Sequence, residues 1–249
     1  MNLQFDHIIH YIKGIEGFHF PGNKLDIKPG GKHLALGTMN YLSRIDLSYI
    51  EFIDMFDQSL VEAAMHDKNE RLSFASSLGR TNYVEGFKRL CFRTNDIEAL
   101  QAHFSSIGLE TIGPLKMERV TSTGEMIQWQ LLYIDDERDF ELPFFIQWGS
   151  NDTKREEALK SDMQPHLAID TIVIEAHDFD SIAEIFVEWL GYEVMGGVIN
   201  TYFLLKKAGL PHIKIIPGNQ NAIRRLEIKT QDANLIGEHL VHEAVYAFI

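Results

Sequence analysis

The stretch FDHIIHYIKG, Phe5–Gly14, decides how this chain reads, because its form returns further on. A β-rich run, a glycine or aspartate, and then a helical pattern recur in KRLCFRTNDIEALQAHFSSIGLE (Lys88–Glu110), IDTIVIEAHDFDSIAEIFVEWLGYE (Ile169–Glu193) and RRLEIKTQDANLIGEHLVHE (Arg224–Glu243). Such self-similarity marks repeated supersecondary units. Ile97, Leu100, Phe104 and Ile107 fall on one helical stripe, as do Ile182, Ile185, Phe186 and Trp189, the spacing of a helix laid on a sheet. Gly108 and Gly191 follow these two helices, where a left-handed cap costs a glycine little. In the first unit the glycines and Pro21 of KGIEGFHFPGNKL shorten any helix to a turn or two.

The repeat defines equivalent positions. Counting seven residues back from Gly14, Asp96, Asp178 and Asp232 gives His7, Arg89, Thr171 and Arg225. On the closing strands YIEFI and HIKII match, since Glu51 lies 44 residues after His7 and Lys214 43 after Thr171. In the second unit Gln147 of FFIQWG, 58 residues after Arg89, takes that place, with the hairpin RVTSTGEMIQWQLLYIDDERD absorbing the longer interval. The units run roughly over 1–80, 83–150, 166–217 and 222–249, the last too short to be complete. Gly149–Pro165 is polar and reads as a linker, and Met55–Gly79 is expected to carry a short helix.

Composition bounds the function. A chain of 249 residues, 45% hydrophobic, can bury a sizeable core. Its net charge of −13 opposes phosphate backbones and anionic lipid, so nucleic acid and membrane are poor partners. No apolar run approaches the roughly 20 residues a spanning helix needs. A single cysteine, Cys91, excludes an intrachain disulfide and fits a reducing cytoplasm. The glycine-rich GGKHLALGTMN lacks the G-x-x-x-x-G-K-[ST] spacing and leads into the strand YLSRIDL, so no nucleotide cofactor is expected. Its nearer explanation is a backbone that passes close to a ligand or to the opposite strand.

A repeated strand, helix and three further strands, with FDHIIHYIKG, PGGKHLALGTMNYL, YIEFID and LPFFIQW in place, resembles the glyoxalase-like branch of the vicinal-oxygen-chelate superfamily. The motifs cover about residues 1–150; residues 166–249 share only the repeated pattern. The resemblance implies an α+β fold in which paired βαβββ units form a curled mixed sheet around a cavity. It also implies a divalent metal in that cavity, chelating neighbouring oxygens of a small-molecule substrate. Residues 166–249 then form a related, partly degenerate region, structural in role, either an incomplete second curl or a homodimer surface.

Strand alternation puts His7, Ile9 and Tyr11 on one face and Tyr49, Glu51 and Ile53 on another, so that His7 and Glu51 meet inside the curl. They suit Mn, Fe(II), Ni or Zn. The resemblance takes two further ligands from the second unit, but Arg89 cannot ligate. His33 is the candidate third metal ligand, and Gln147 a weak oxygen donor. Each histidine has an alternative reading, as a hydrogen-bonded core or rim residue. Arg89 either pairs with Glu51 in a metal-free cavity or binds a substrate anion, and with Glu51 it forms the candidate catalytic set. Thr38 and Asn40 share a face and, with Tyr49, Arg89 and Gln147, are the candidate substrate-binding residues. Trp129, Phe144, Phe145 and Trp148 are mostly core, and any that face the cavity favour an apolar or planar ligand. Cys91, buried and without a paired base, is expected to be inert. Two functions follow: a metal-dependent lyase, isomerase or dioxygenase, or a metal-free protein that sequesters a small molecule.

Overall fold

A computed structural model of the chain describes residues 2–120, 126–198 and 201–249. The tip of the long hairpin, residues 121–125, lies outside them. The first unit comprises β1 (Gln4–Tyr11), β2 (Lys28–His33), β3 (Thr38–Arg44) and β4 (Tyr49–Met55). Where a crossover helix would stand there is one turn of 3₁₀ helix, Pro21–Asn23, as the glycines and Pro21 predict. Two helices follow, α1 (Gln58–His66) and α2 (Phe74–Arg80), in place of the single one expected, each opened by a side-chain cap from Asp57 or Ser73.

The second unit is β5 (Gly86–Arg93), α3 (Ile97–Ser106), β6 (Glu110–Val120), β7 (Met126–Asp135) and β8 (Phe144–Trp148). Asp96 caps α3 by accepting from the Ala99 N–H, and Gly108 follows it at φ +84°. Together the units make one eight-stranded sheet, ordered β2-β3-β4-β1-β5-β8-β7-β6. The central β1 is parallel to β4 and antiparallel to β5, so the units join through their first strands.

The chain continues through α4 (Asp152–Leu159), β9 (Leu167–Ala176) and α5 (Phe179–Glu184), which widens into a π-turn over Ile185–Trp189. Then come β10 (Glu193–Val198), β11 (Tyr202–Lys206), β12 (His212–Pro217), β13 (Ala222–Thr230), β14 (Gly237–Val241) and β15 (Ala244–Phe248). These strands form a seven-stranded sheet, β10-β11-β12-β9-β13-β15-β14. It repeats the order of the first sheet with one edge strand fewer. The helix expected in Arg224–Glu243 is not formed; after β13 the segment enters β14, which forms a hairpin with β15. His242 and Glu243 both adopt positive φ at its turn, and Val241, Ala244, Tyr246 and Phe248 bury along the strands. Their period-two burial outweighs the helical spacing read from the sequence.

Gly149–Pro165, expected as a linker, is tied down along its length. Arg155 of α4 is buried over the Trp148 ring at 4.5 Å, and Gln164 Nε2 donates to Ser43 Oγ and the Arg44 carbonyl. The outward faces of β1 and β5 join those of β9 and β13 in one apolar core containing Ile8, Leu90, Phe92, Ile172, Leu226 and Ile228. His10 sits in this core, as its strand parity predicts, with Nδ1 2.7 Å from the Tyr246 hydroxyl and Nε2 3.2 Å from the His242 carbonyl. The inward face of the first sheet makes a second core. Val61, Ala64, Phe74 and Leu78 of α1 and α2 pack onto Ile9, Tyr11 and Ile53 and plug one end of the curl. Beyond that plug, space remains. Among the described residues no helix is long and apolar enough to cross a membrane.

Candidate metal and ligand site

The space is a cavity of about 60 Å3 between the two halves of the curl. Its polar side comes from the first unit: His7 on β1, His33 on β2, Asn40 and Arg44 on β3, Tyr49 and Glu51 on β4. Its other side comes from the second unit and is largely apolar, built from Leu131, Phe144, Ile146 and the two indoles of Trp129 and Trp148. Phe74 closes the inner end, and Arg119 reaches in from β6.

His7 and Glu51 do meet. The His7 Nε2 lies 3.3 Å from Glu51 Oε2, in a geometry that gives the fully buried Nε2 no hydrogen bond among the described residues. The other ring nitrogen is spoken for, with Nδ1 2.8 Å from Asp6 Oδ1. Adjacent strand residues ordinarily face opposite ways, but the β1–β5 register slips between Phe5 and His7, and the irregularity turns Asp6 inward beside His7. Asp6 also accepts from Trp148 Nε1 at 2.9 Å and lies 3.6 Å from the Arg155 guanidinium. Burial alone would raise the Asp6 carboxyl; the His7 hydrogen bond and charge, with Arg155 and Trp148, outweigh it and hold Asp6 below the usual carboxylate range. An ionised Asp6 can only accept, so the His7 Nδ1–H points at it, which leaves Nε2 as the ring nitrogen that faces the cavity.

Glu51 is oriented from its other oxygen, which accepts from Asn40 Nδ2. Asn40 in turn needs the glycine pair of β2: a Cβ on Gly30 would lie 2.3 Å from Asn40 Oδ1. The glycine-rich stretch thus serves a close approach to the opposite strand. His33 Nδ1 lies 3.0 Å from Thr38 Oγ1, so Thr38 orients His33 and is itself fully buried. Burial, with Arg119 and His7 as neighbouring cations, lowers the His33 pKa against the opposing pull of Glu51, which keeps the ring neutral at pH 7. The Tyr49 ring stacks on His7 at 4.6 Å.

Three expected site residues lie outside the cavity lining: Thr38, behind His33, and two that sit further away. Gln147 is on the outward face of β8, where its Oε1 accepts from the Ile97 N–H at the start of α3. Phe144 and Ile146 are the inward residues of that strand, so the count across the hairpin is one residue out. Arg89 faces inward but deeper, behind the cavity. It donates to the Leu142 and Leu72 carbonyls at 2.7 and 2.5 Å, stacks over Phe144 and Tyr133, and lies 4.0 Å from Glu141. It neither pairs with Glu51 nor reaches the cavity lining, because the segment before α2 and the 136–143 loop offer it carbonyls first. Burial draws its pKa down to about 10, still charged at neutral pH.

Three residues outside the expected set matter: Asp6, Arg44 and Arg119. Strand alternation hides Asp6, and nothing in the local sequence marks the two arginines as cavity residues. A tight trio of ligating atoms among the described residues is Asp6, His7 and Cys91, all within 4.8 Å of one another. Asp6 already serves His7, Trp148 and Arg155, and burial, Asp6 and Glu51 push the Cys91 thiol well up, so the trio acts as the layer behind His7.

This curled eight-stranded sheet of two paired units has the vicinal-oxygen-chelate fold. The chain belongs to the glyoxalase-like domain family, whose model matches residues 5–190. It resembles a hypothetical protein from Staphylococcus aureus along its whole length, 30% identical with a TM-score of 0.95, covering 100% of this chain and 99% of that one. The Mn(II)-bound glyoxalase from Novosphingobium aromaticivorans shares the fold at 11% identity, TM-score 0.56, over 98% of this chain and 81% of its own. A 2,3-dioxygenase, LapB from Pseudomonas sp. KL28, does so at 12% identity, TM-score 0.53, over 98% and 91%. No curated protein sequence matches the chain.

Proposed function

We propose that the chain is a metal-dependent enzyme of the lyase, isomerase or dioxygenase type, acting on a small molecule held in this cavity. The observation that carries the reading is the buried, unpartnered His7 Nε2 aimed at the Glu51 carboxylate, backed by Asp6 on the far nitrogen. A buried nitrogen without an acceptor or donor is costly, whereas a carboxylate–histidine pair behind a cation is a recurrent ligand arrangement. His7 and Glu51 would hold Mn, Fe(II), Ni or Zn, with neutral His33 as third ligand, an imidazole and carboxylate set that leaves positions open. A divalent cation there supplies a Lewis acid for a substrate oxygen. Asn40 fixes one Glu51 oxygen, leaving the other to ligate or to take a substrate proton. The indoles of Trp129 and Trp148 and the Phe144 ring exclude water and stack against a planar or apolar ligand.

The apolar second-unit wall favours one other reading, metal-free sequestration of a small molecule. Metal content of untagged protein, with thermal shifts across Mn, Fe(II), Ni and Zn, separates the two. The enzyme reading expects near-stoichiometric metal in the parent and none in His7→Ala or Glu51→Ala. Absence of any metal-induced stabilisation, with both variants as stable as the parent, would establish the sequestering alternative instead.

A further inference from the structure

We propose that Arg44, with Arg119 beside it, anchors a carboxylate of the ligand, so that the cavity takes a small carboxylic-acid anion with an apolar body. The inference rests on this cavity being the ligand site. Arg44, the last residue of β3, lines both the inner cavity and the open recess outside it, as does Arg119. Its guanidinium lies over the Tyr49 ring at 4.9 Å, and its Nη1 is buried with no hydrogen-bond partner among the described residues. Asp6 and Asp162 act on the Arg44 charge without a hydrogen bond to it, and Gln164 holds its backbone through the Arg44 carbonyl.

A buried guanidinium N–H left without an acceptor is expensive, so the acceptor is to be sought in a ligand. The cavity lining does not supply one: its acid, Glu51, is turned to Asn40 and His7. In a chain of net charge −13, a cavity with two arginines and one carboxylate is a local inversion of sign, which draws anions to the mouth. The planar guanidinium fork matches a carboxylate, and the opposite wall of Trp129, Leu131 and Phe144 accommodates an apolar or aromatic body.

Calorimetric titration with phenylacetate and its neutral isostere phenylacetamide tests this, on protein stripped of metal by a chelator and on the same protein reloaded with Mn(II). The parent is expected to prefer the acid by about tenfold or more in both states, the worth of one charged hydrogen bond. Arg44→Met should abolish the preference at unchanged thermal stability, and Arg44→Lys should keep part of it. No binding of phenylacetate, equal binding of acid and amide, or an undiminished preference in Arg44→Met would overturn the proposal. So would inorganic phosphate displacing phenylacetate at lower concentration. An acid preference that survives while Mn(II) fails to bind removes the metal reading alone.

Discussion

Asp6 and His7, neighbours in sequence, turn to the same side of β1, and the Asp6 carboxylate accepts the His7 Nδ1 proton across 2.8 Å. This contact fixes the tautomer on which the ligand role of His7 depends. Asp6→Asn keeps the shape and removes the charge. It should weaken divalent-metal affinity by about 10- to 100-fold, the usual cost of losing such a partner, as read by metal titration. Unchanged affinity would mean that His7 acts without Asp6.

Gly30→Ala should act on the site through Asn40. The added methyl would meet Asn40 Oδ1 at 2.3 Å and Leu42 Cγ at 3.0 Å, so Asn40 must leave its bond to Glu51. Overpacking of this kind costs roughly 1–3 kcal/mol. Urea denaturation should show that loss, and metal affinity should fall with it.

Arg89→Met separates structure from site. It strands the Leu72 and Leu142 carbonyls, which Arg89 now satisfies, and each buried acceptor so lost costs about 1–3 kcal/mol. The variant should be strongly destabilised yet bind metal and phenylacetate with parental affinity at low temperature. A selective loss of ligand binding without loss of stability would return Arg89 to the ligand site.

Acid should weaken the protein through His10. Burial, aided by His242 and Lys88 against the His242 carbonyl bond, lowers its pKa from 6.5 to about 3. The unfolded chain therefore binds one more proton than the fold between those values, and stability falls as pH drops through 6.5, by at most about 1.4 kcal/mol per unit, levelling off near 3. His10→Gln should be less stable at pH 8 but show a shallower decline between pH 6.5 and 4.5. Equal slopes in urea titrations would rule His10 out as the source.

Cys91 is fully buried, and burial, Asp6 and Glu51 all disfavour its thiolate. Ellman's reagent at pH 8 should leave the native thiol untouched and titrate one thiol in denaturant. Fast native labelling would indicate that the layer behind His7 is open to solvent.

The repeat in the sequence carried the architecture because its signals are local. Apolar spacing defined α3, Gly108 and Gly191 ended helices, and Pro21 cut one short, all through interactions within a few residues. Parity along β1 and β4 likewise brought His7 to Glu51 without reference to the rest of the chain. The fourth unit failed the same test, since Leu235–Val241 fits a helix by spacing until β15 offers it a partner.

What the sequence by itself determined is therefore the two-unit curl and the half of the site that lies on regular strands of the first unit. The tertiary structure decided the remainder. Asp6 faces inward through an irregularity in the β1–β5 pairing, Gln147 faces outward because pairing with β5 and β7 sets the register of β8, and Arg89 is claimed by carbonyls of α2's approach and the 136–143 loop. Arg44 and Arg119, far apart in the chain, share one cavity only because the sheet curls its two edges towards each other. Alternation along a strand is a property of the local backbone, whereas register between strands and the partner that satisfies a buried charge are settled only when distant segments compete for the same donors and acceptors.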